Sequence, residues 1–167
     1  MHVSLKLWMI VLLMGSSCPA ETPSAGTERK AVERCIGNVS ATGIEPMTEQ
    51  KPYYLRGDFD GDGMPDYAIA VWSASLKKHG VIVCGTKAGR HVLGPVQSNA
   101  KNFSDMPNDQ FLSNDWQVLT VSDVDQFRKA DPRFAAVKGA EAIELVWEDG
   151  VAVIYWDGKR VRWYSDE

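Results

Sequence analysis

The sequence predicts a strand-rich α+β fold, with antiparallel sheet pairing and one or two short helices. Three observations lead there. The C-terminal runs AIELVW, VAVIYW and RVRWY are separated by Asp149-Gly150 and Asp157-Gly158. Asp-Gly between alternating apolar runs is a strong hairpin signal because the turn needs positive φ, so these runs spell a three-stranded meander. From Tyr67 to Trp72 the pattern has period two, with Tyr67, Ile69 and Val71 on one side and Ala68, Ala70 and Trp72 on the other. Both sides are largely apolar, as a central strand requires. Helical signals, by contrast, are confined to two short segments.

The elements follow in chain order. Residues 1–20 are set apart from the fold: Lys6, the apolar run LWMIVLLM and the small residues GSSCPA have the layout of a secretory signal peptide. Cleavage after Ala20 puts Cys18 and Ala20 at minus three and minus one. The rival reading is a lipoprotein signal ending before Cys18, with a lipid anchor on that cysteine, although Gly15 stands where a lipobox usually has Leu. Either way the expected location is secreted or periplasmic, with membrane anchoring as a lipoprotein the variant. No later run has the length of a membrane span. Residues 21–26 (ETPSAG) read as a flexible leader and 27–167 as a single globular domain.

Thr27 is placed to cap a helix that reaches Ile36, with Ala31, Val32, Cys35 and Ile36 on one face and Gly37-Asn38 as the stop. Polar sequence runs on to Pro52, and Tyr53-Tyr54-Leu55 begins a strand. Val81-Ile82-Val83-Cys84 supplies a partner for the central strand, and Gly89-Arg90 turns into His91-Val92-Leu93. Residues 98–114 read as a long loop, and WQVLTV (116–121) as a strand. Ser122-Asp123-Val124-Asp125 resembles a capping box, opening a short helix that Asp131-Pro132 ends.

Charge and cysteine content narrow the function. The chain carries 18 Lys and Arg against 22 Asp and Glu, and loss of Lys6 with the leader makes it one unit more negative. With the acids concentrated in one loop and the rest nearly balanced, nucleic acid is not an expected partner. Removal of the leader leaves Cys35 and Cys84. In an oxidising compartment they predict one disulfide closing a loop of about fifty residues; two buried free thiols are the other reading.

The densest chemistry lies in GDFDGDGMPD, residues 57–66. Crowded carboxylates repel by roughly 1–3 kcal/mol per pair at effective dielectrics of 20–80, so something must offset the charge. Asp58, Asp60, Asp62 and Asp66 fall at places 1, 3, 5 and 9 of a loop, Met64 can offer its carbonyl at place 7, and Gly63 permits a sharp bend at place 6. Hard oxygen donors at this spacing suit Ca²⁺; Mg²⁺ ranks second, and Zn²⁺ would want His or Cys. The bland alternative is a solvated acidic turn.

The loop departs from an EF-hand, since its twelfth place is Ile69 rather than Glu. A dockerin would need a helix after the loop. The stretch resembles the DxDGDGxxD-plus-strand unit of FG-GAP and VCBS repeats, which implies Ca²⁺ held by Asp58, Asp60, Asp62, the Met64 carbonyl and Asp66. The motif occurs once, so the resemblance implies the ion site and not a full β-propeller. The same unit with a terminal WDGK hairpin also resembles small exported bacterial proteins of unknown role.

Other sites are weaker. His79 and His91 are the histidines beyond the leader, and no H-E-x-x-H, G-x-S-x-G or C-x-x-C motif occurs. A Cys84–His91 nucleophile pair would compete with the disulfide. Trp156, Arg160, Arg162 and Tyr164 form a candidate surface for a protein or carbohydrate partner. Alternatively Val161 and Trp163 face the core while Arg160, Arg162 and Tyr164 face solvent. The expected function is an exported calcium-binding protein whose single ion is structural, serving as a binding or interaction module rather than an enzyme. The alternative is a small secreted or periplasmic hydrolase with an unrecognised site.

Overall fold

The computed structural model describes residues 25–37, 43–94, 115–148 and 150–165. The signal segment, most of the leader, the loop at 98–114 and Asp149 lie outside them. Helix α1 (Ala25–Ile36) comes first and includes Thr27, the residue expected to cap it. Five strands then form one antiparallel sheet: β1 (Ile44–Pro46), β2 (Tyr54–Gly57), β3 (Asp66–Ser73), β4 (Lys78–Gly85) and β5 (Gly89–Leu93). A second antiparallel sheet contains β6 (Asp115–Leu119), β7 (Ala142–Trp147), β8 (Gly150–Trp156) and β9 (Val161–Ser165), with helix α2 (Val121–Ala130) between β6 and β7.

β3 is the spine of the first sheet. One of its edges pairs with β4 along its whole apolar run; the other is divided between β2, opposite residues 66–69, and β1, opposite residues 71–73. The alternation of β3 explains its burial. Ala68 and Ala70 point into the space between the sheets, while Tyr67, Ile69 and Val71 point the other way, toward Val32 and Cys35 of α1. Both faces are covered, so both are apolar.

The second sheet repeats this logic. Ile143, Leu145, Ile154, Trp156 and Val161 meet Ala68, Ala70, Val81 and Val83 in the inter-sheet core. Ala142, Val153 and Tyr155 face outward against Val124 of α2 and Phe134. The result is four layers: α1, first sheet, second sheet, α2. Each fully buried Ile or Leu in these layers contributes about 1.5–3 kcal/mol of transfer free energy. Both sheets are open, and the described residues form no closed barrel and no propeller.

Several boundaries differ from expectation for local reasons. The capping box lies two residues earlier, with Thr120 as N-cap and Asp123 at N3 exchanging both bonds; Val121 therefore belongs to the helix and not to β6. The first meander turn is also shifted: Trp147 pairs with Gly150, which puts Gly150 in the strand rather than in the turn. At the second turn the expected glycine conformation is present, with Gly158 at φ 91°. There the Asp157 carboxylate accepts from the amides of Lys159 and Arg160, fixing the loop.

Cys35 of α1 is disulfide-bonded to Cys84 of β4, with their Cα atoms 5.8 Å apart. The bond ties the outer helix to the first sheet and belongs to a protein held outside a reducing cytoplasm. No helix among the described residues is long and apolar enough to cross a membrane.

Candidate metal centre

β2 and β3 form a hairpin in which Gly57 pairs with Asp66, so the two ends of the acidic loop are held side by side by the strand register. Phe59, one residue into the loop, is 4% exposed and packs into the inter-sheet core. That anchor pulls its neighbour Asp60 inward. Gly63, at φ 83°, takes the left-handed bend that the loop needs and that residues with a Cβ rarely adopt.

Asp58, Asp60 and Asp66 each present a carboxylate oxygen, and the three atoms lie within 4.8 Å of one another, a grouping that could hold a metal ion. Asp60 is 0% and Asp66 1% exposed. Backbone amides orient them. Asp66 Oδ2 accepts from the amides of Phe59 (2.8 Å) and Asp60 (3.1 Å), and its Oδ1 from Thr86 (3.2 Å). Asp60 Oδ2 accepts from Lys87 (2.8 Å) and Ala88 (2.7 Å). The β4–β5 turn is thus the second half of the site. Its Gly85 is obligatory by space, because a Cβ there would lie 2.6 Å from Asp60 Oδ2.

Asp58 is clamped from two directions. Its carboxylate accepts from the amides of Asp62 (3.0 Å) and Gly63 (2.8 Å), curling the loop around it. Its own amide donates to Glu141 Oε2 and its carbonyl accepts from the Glu141 amide, both at 2.8 Å. Glu141 immediately precedes β7, so this pair joins the loop to the second sheet.

The charge balance is unfinished. No Lys, Arg or His side chain pairs with these three carboxylates among the described residues. Burial first, and then the charge of Asp60, push Asp66 up to about 6 even though three amides favour its anion. Asp60 Oδ1 is fully buried and has no hydrogen-bond partner. A buried carboxylate oxygen left unpaired costs on the order of 1–3 kcal/mol or more. A hard cation would remove both penalties at once, and an all-oxygen donor set fits one.

Asp62 is not one of this trio. Asp62 is exposed and its Oδ1 accepts from the Met64 amide at 2.7 Å, while the Met64 side chain is 54% exposed. Sequence reasoning missed Glu141 and the amides of residues 86–88. Both lie far along the chain from the motif, and backbone donors carry no residue signature.

The remaining candidates resolve differently. Cys84 is disulfide-bonded, which removes the thiol a Cys84–His91 nucleophile pair would need. His91 instead bonds the Ala88 carbonyl through Nε2 at 2.7 Å and packs on Trp156. Trp156 is corrected as a surface residue: it is 7% exposed, because even-numbered residues of β8 face the inter-sheet core. Arg160 is exposed; Arg162 pairs with Asp157, and the Tyr164 hydroxyl donates to Asp131. The first is a bond within the β8–β9 turn region, and the second ties β9 to the C-cap of α2.

No family model matches this chain, and no curated protein or solved structure matches it either.

Proposed function

We propose that this is an exported protein that binds one Ca²⁺ at Asp58, Asp60 and Asp66, with Asp62 and the Met64 carbonyl completing the ligand set. The observation that carries the reading is Asp60: a carboxylate without exposure, one oxygen held by two amides and the other unpartnered, beside two further carboxylates. The likeness of the loop to a single FG-GAP or VCBS unit favours calcium over magnesium, and six to eight oxygens at flexible geometry suit the larger ion.

The ion is structural. It fastens the β2–β3 loop to the β4–β5 turn, and through Glu141 to the second sheet. The protein acts as a binding module stabilised in this way, exported by the leader at residues 1–20. Extracellular calcium modules bind in the 10⁻⁴–10⁻³ M range. At about 1 mM calcium and a Kd near 10⁻⁴ M, linkage adds roughly 1.4 kcal/mol of stability. Isothermal titration of the chelator-treated protein tests this: one calcium per chain is expected, with magnesium at least about tenfold weaker. Absence of saturable calcium binding would remove the proposal.

A further inference from the structure

A groove of about 480 Å³ opens on the far side of the Gly85–Thr86 backbone from the carboxylates, between the C-terminal half of α1 and the β4–β5 hairpin. Its floor is apolar, made by Ala31, Tyr67 and the Cys35–Cys84 disulfide. Arg34 and Arg90 are among the residues that line it. Both arginines are exposed, and neither pairs with a carboxylate among the described residues. Arg34 spends only its Nε, on the Lys30 carbonyl at 3.3 Å, which leaves its two terminal nitrogens unspent. Arg90 reaches toward the end of α1, where a Cβ on Gly37 would lie 3.0 Å from its Nη1.

Proximity to a helix C-terminus favours one cation there. It does not account for two arginines without carboxylate partners lining one open groove in a chain whose net charge is −4. Guanidinium is matched in geometry to planar oxyanions, which it binds through paired N–H donors. Gly89, in the same lining, leaves open space above its Cα, so a ligand can approach its backbone. An apolar floor beneath a cationic rim selects a molecule with both characters.

We infer that the groove between α1 and the β4–β5 hairpin binds a small organic carboxylate, its oxygens on Arg34 and Arg90 and its apolar body on Tyr67 and the disulfide. The site uses none of the carboxylates of the metal centre, although it shares the Gly85–Thr86 backbone with it.

The test is an amide-resolved NMR titration with phenylacetate, with inorganic phosphate as an oxyanion lacking an apolar body, in calcium and in chelator. Saturable shifts of Thr86 and Gly89 with phenylacetate in either buffer, weakened at least about tenfold in the R34Q/R90Q variant, are expected. Both positions are exposed, so the variant keeps its fold, which its unchanged spectrum elsewhere verifies. No saturable shift in either buffer, or equal affinity in the variant, overturns the site. Phosphate binding as tightly as phenylacetate overturns the assignment to an organic carboxylate. Loss of calcium binding alone would sink the metal reading and leave this one intact.

Discussion

The two helices solve the same problem by different means. Each covers the outer face of one sheet, each is short, and each buries little: α1 places Val32 and Cys35 in its core cluster, and α2 places Val124. Helices of 12 and 10 residues are marginal alone and need an external anchor. For α1 the anchor is covalent, the disulfide to β4. For α2 it is a capping box at Thr120 and an aromatic cluster in which Phe134 lies 4.4 Å from Tyr155 and 5.5 Å from Phe127. The first half of the molecule, with its divided sheet edge, disulfide and buried carboxylates, depends on an oxidising setting and, on the function proposed above, on an ion. The second depends on packing and its own hydrogen bonds.

That contrast can be broken or sharpened by substitution. The largest effect is expected in the second half. Phe134→Ala opens the aromatic cluster and should cost about 3–5 kcal/mol in denaturant unfolding, by the same amount in calcium and in chelator. Next is the disulfide: C35S/C84S should lose about 3–4 kcal/mol, because the closed loop spans 49 residues of sequence separation. A loss under about 1 kcal/mol would mean that α1 is held by packing after all.

Removing calcium comes third. The thermal midpoint should fall with chelation, reflecting a loss of roughly 1.4 kcal/mol of stability relative to about 1 mM calcium, and Asp60→Ala should abolish the difference between the two conditions. Smallest is Thr120→Ala, which removes the cap of α2 and should cost about 1 kcal/mol.

The pH dependence separates the halves too. Asp66 is pushed up to about 6 from 3.8 in the ion-free fold, so the folded state holds its proton more tightly than the unfolded state. Stability without calcium should therefore fall as pH rises from about 4 to about 6. Calcium competes with that proton, so the gap between melts with and without calcium should widen over the same range. In the second half Arg133 beside Asp131 holds its carboxyl well below the usual range. Its contribution is present above about pH 4 and is lost as pH falls further, with or without the ion. A calcium-independent profile across pH 4–6 would contradict the difference between the halves.

Much of this architecture was legible because it is local. The period-two run of β3, the apolar face of α1 and the Asp157-Gly158 turn each follow from neighbouring residues. So does the gathering of Asp58, Asp60 and Asp66, since the hairpin register brings the loop ends together. What escaped is non-local. β1 is three residues long and has no pattern to show; only the free half of the β3 edge makes it a strand. The inward aim of Trp156 depends on where β8 starts, and aromatic residues suit core and surface equally. The clamp from Glu141 to Asp58 joins residues 83 apart. The Thr120 box was read two residues late because Ser122 and Asp125 mimic the same spacing pattern.

An anomalous difference map from crystals grown in calcium would decide whether one dication sits among Asp58, Asp60 and Asp66. A single strong peak is expected within bonding distance of the three carboxylates, with Asp60 Oδ1 among the ligands. Ordered carboxylates with no peak between them, at calcium well above 1 mM, would contradict it.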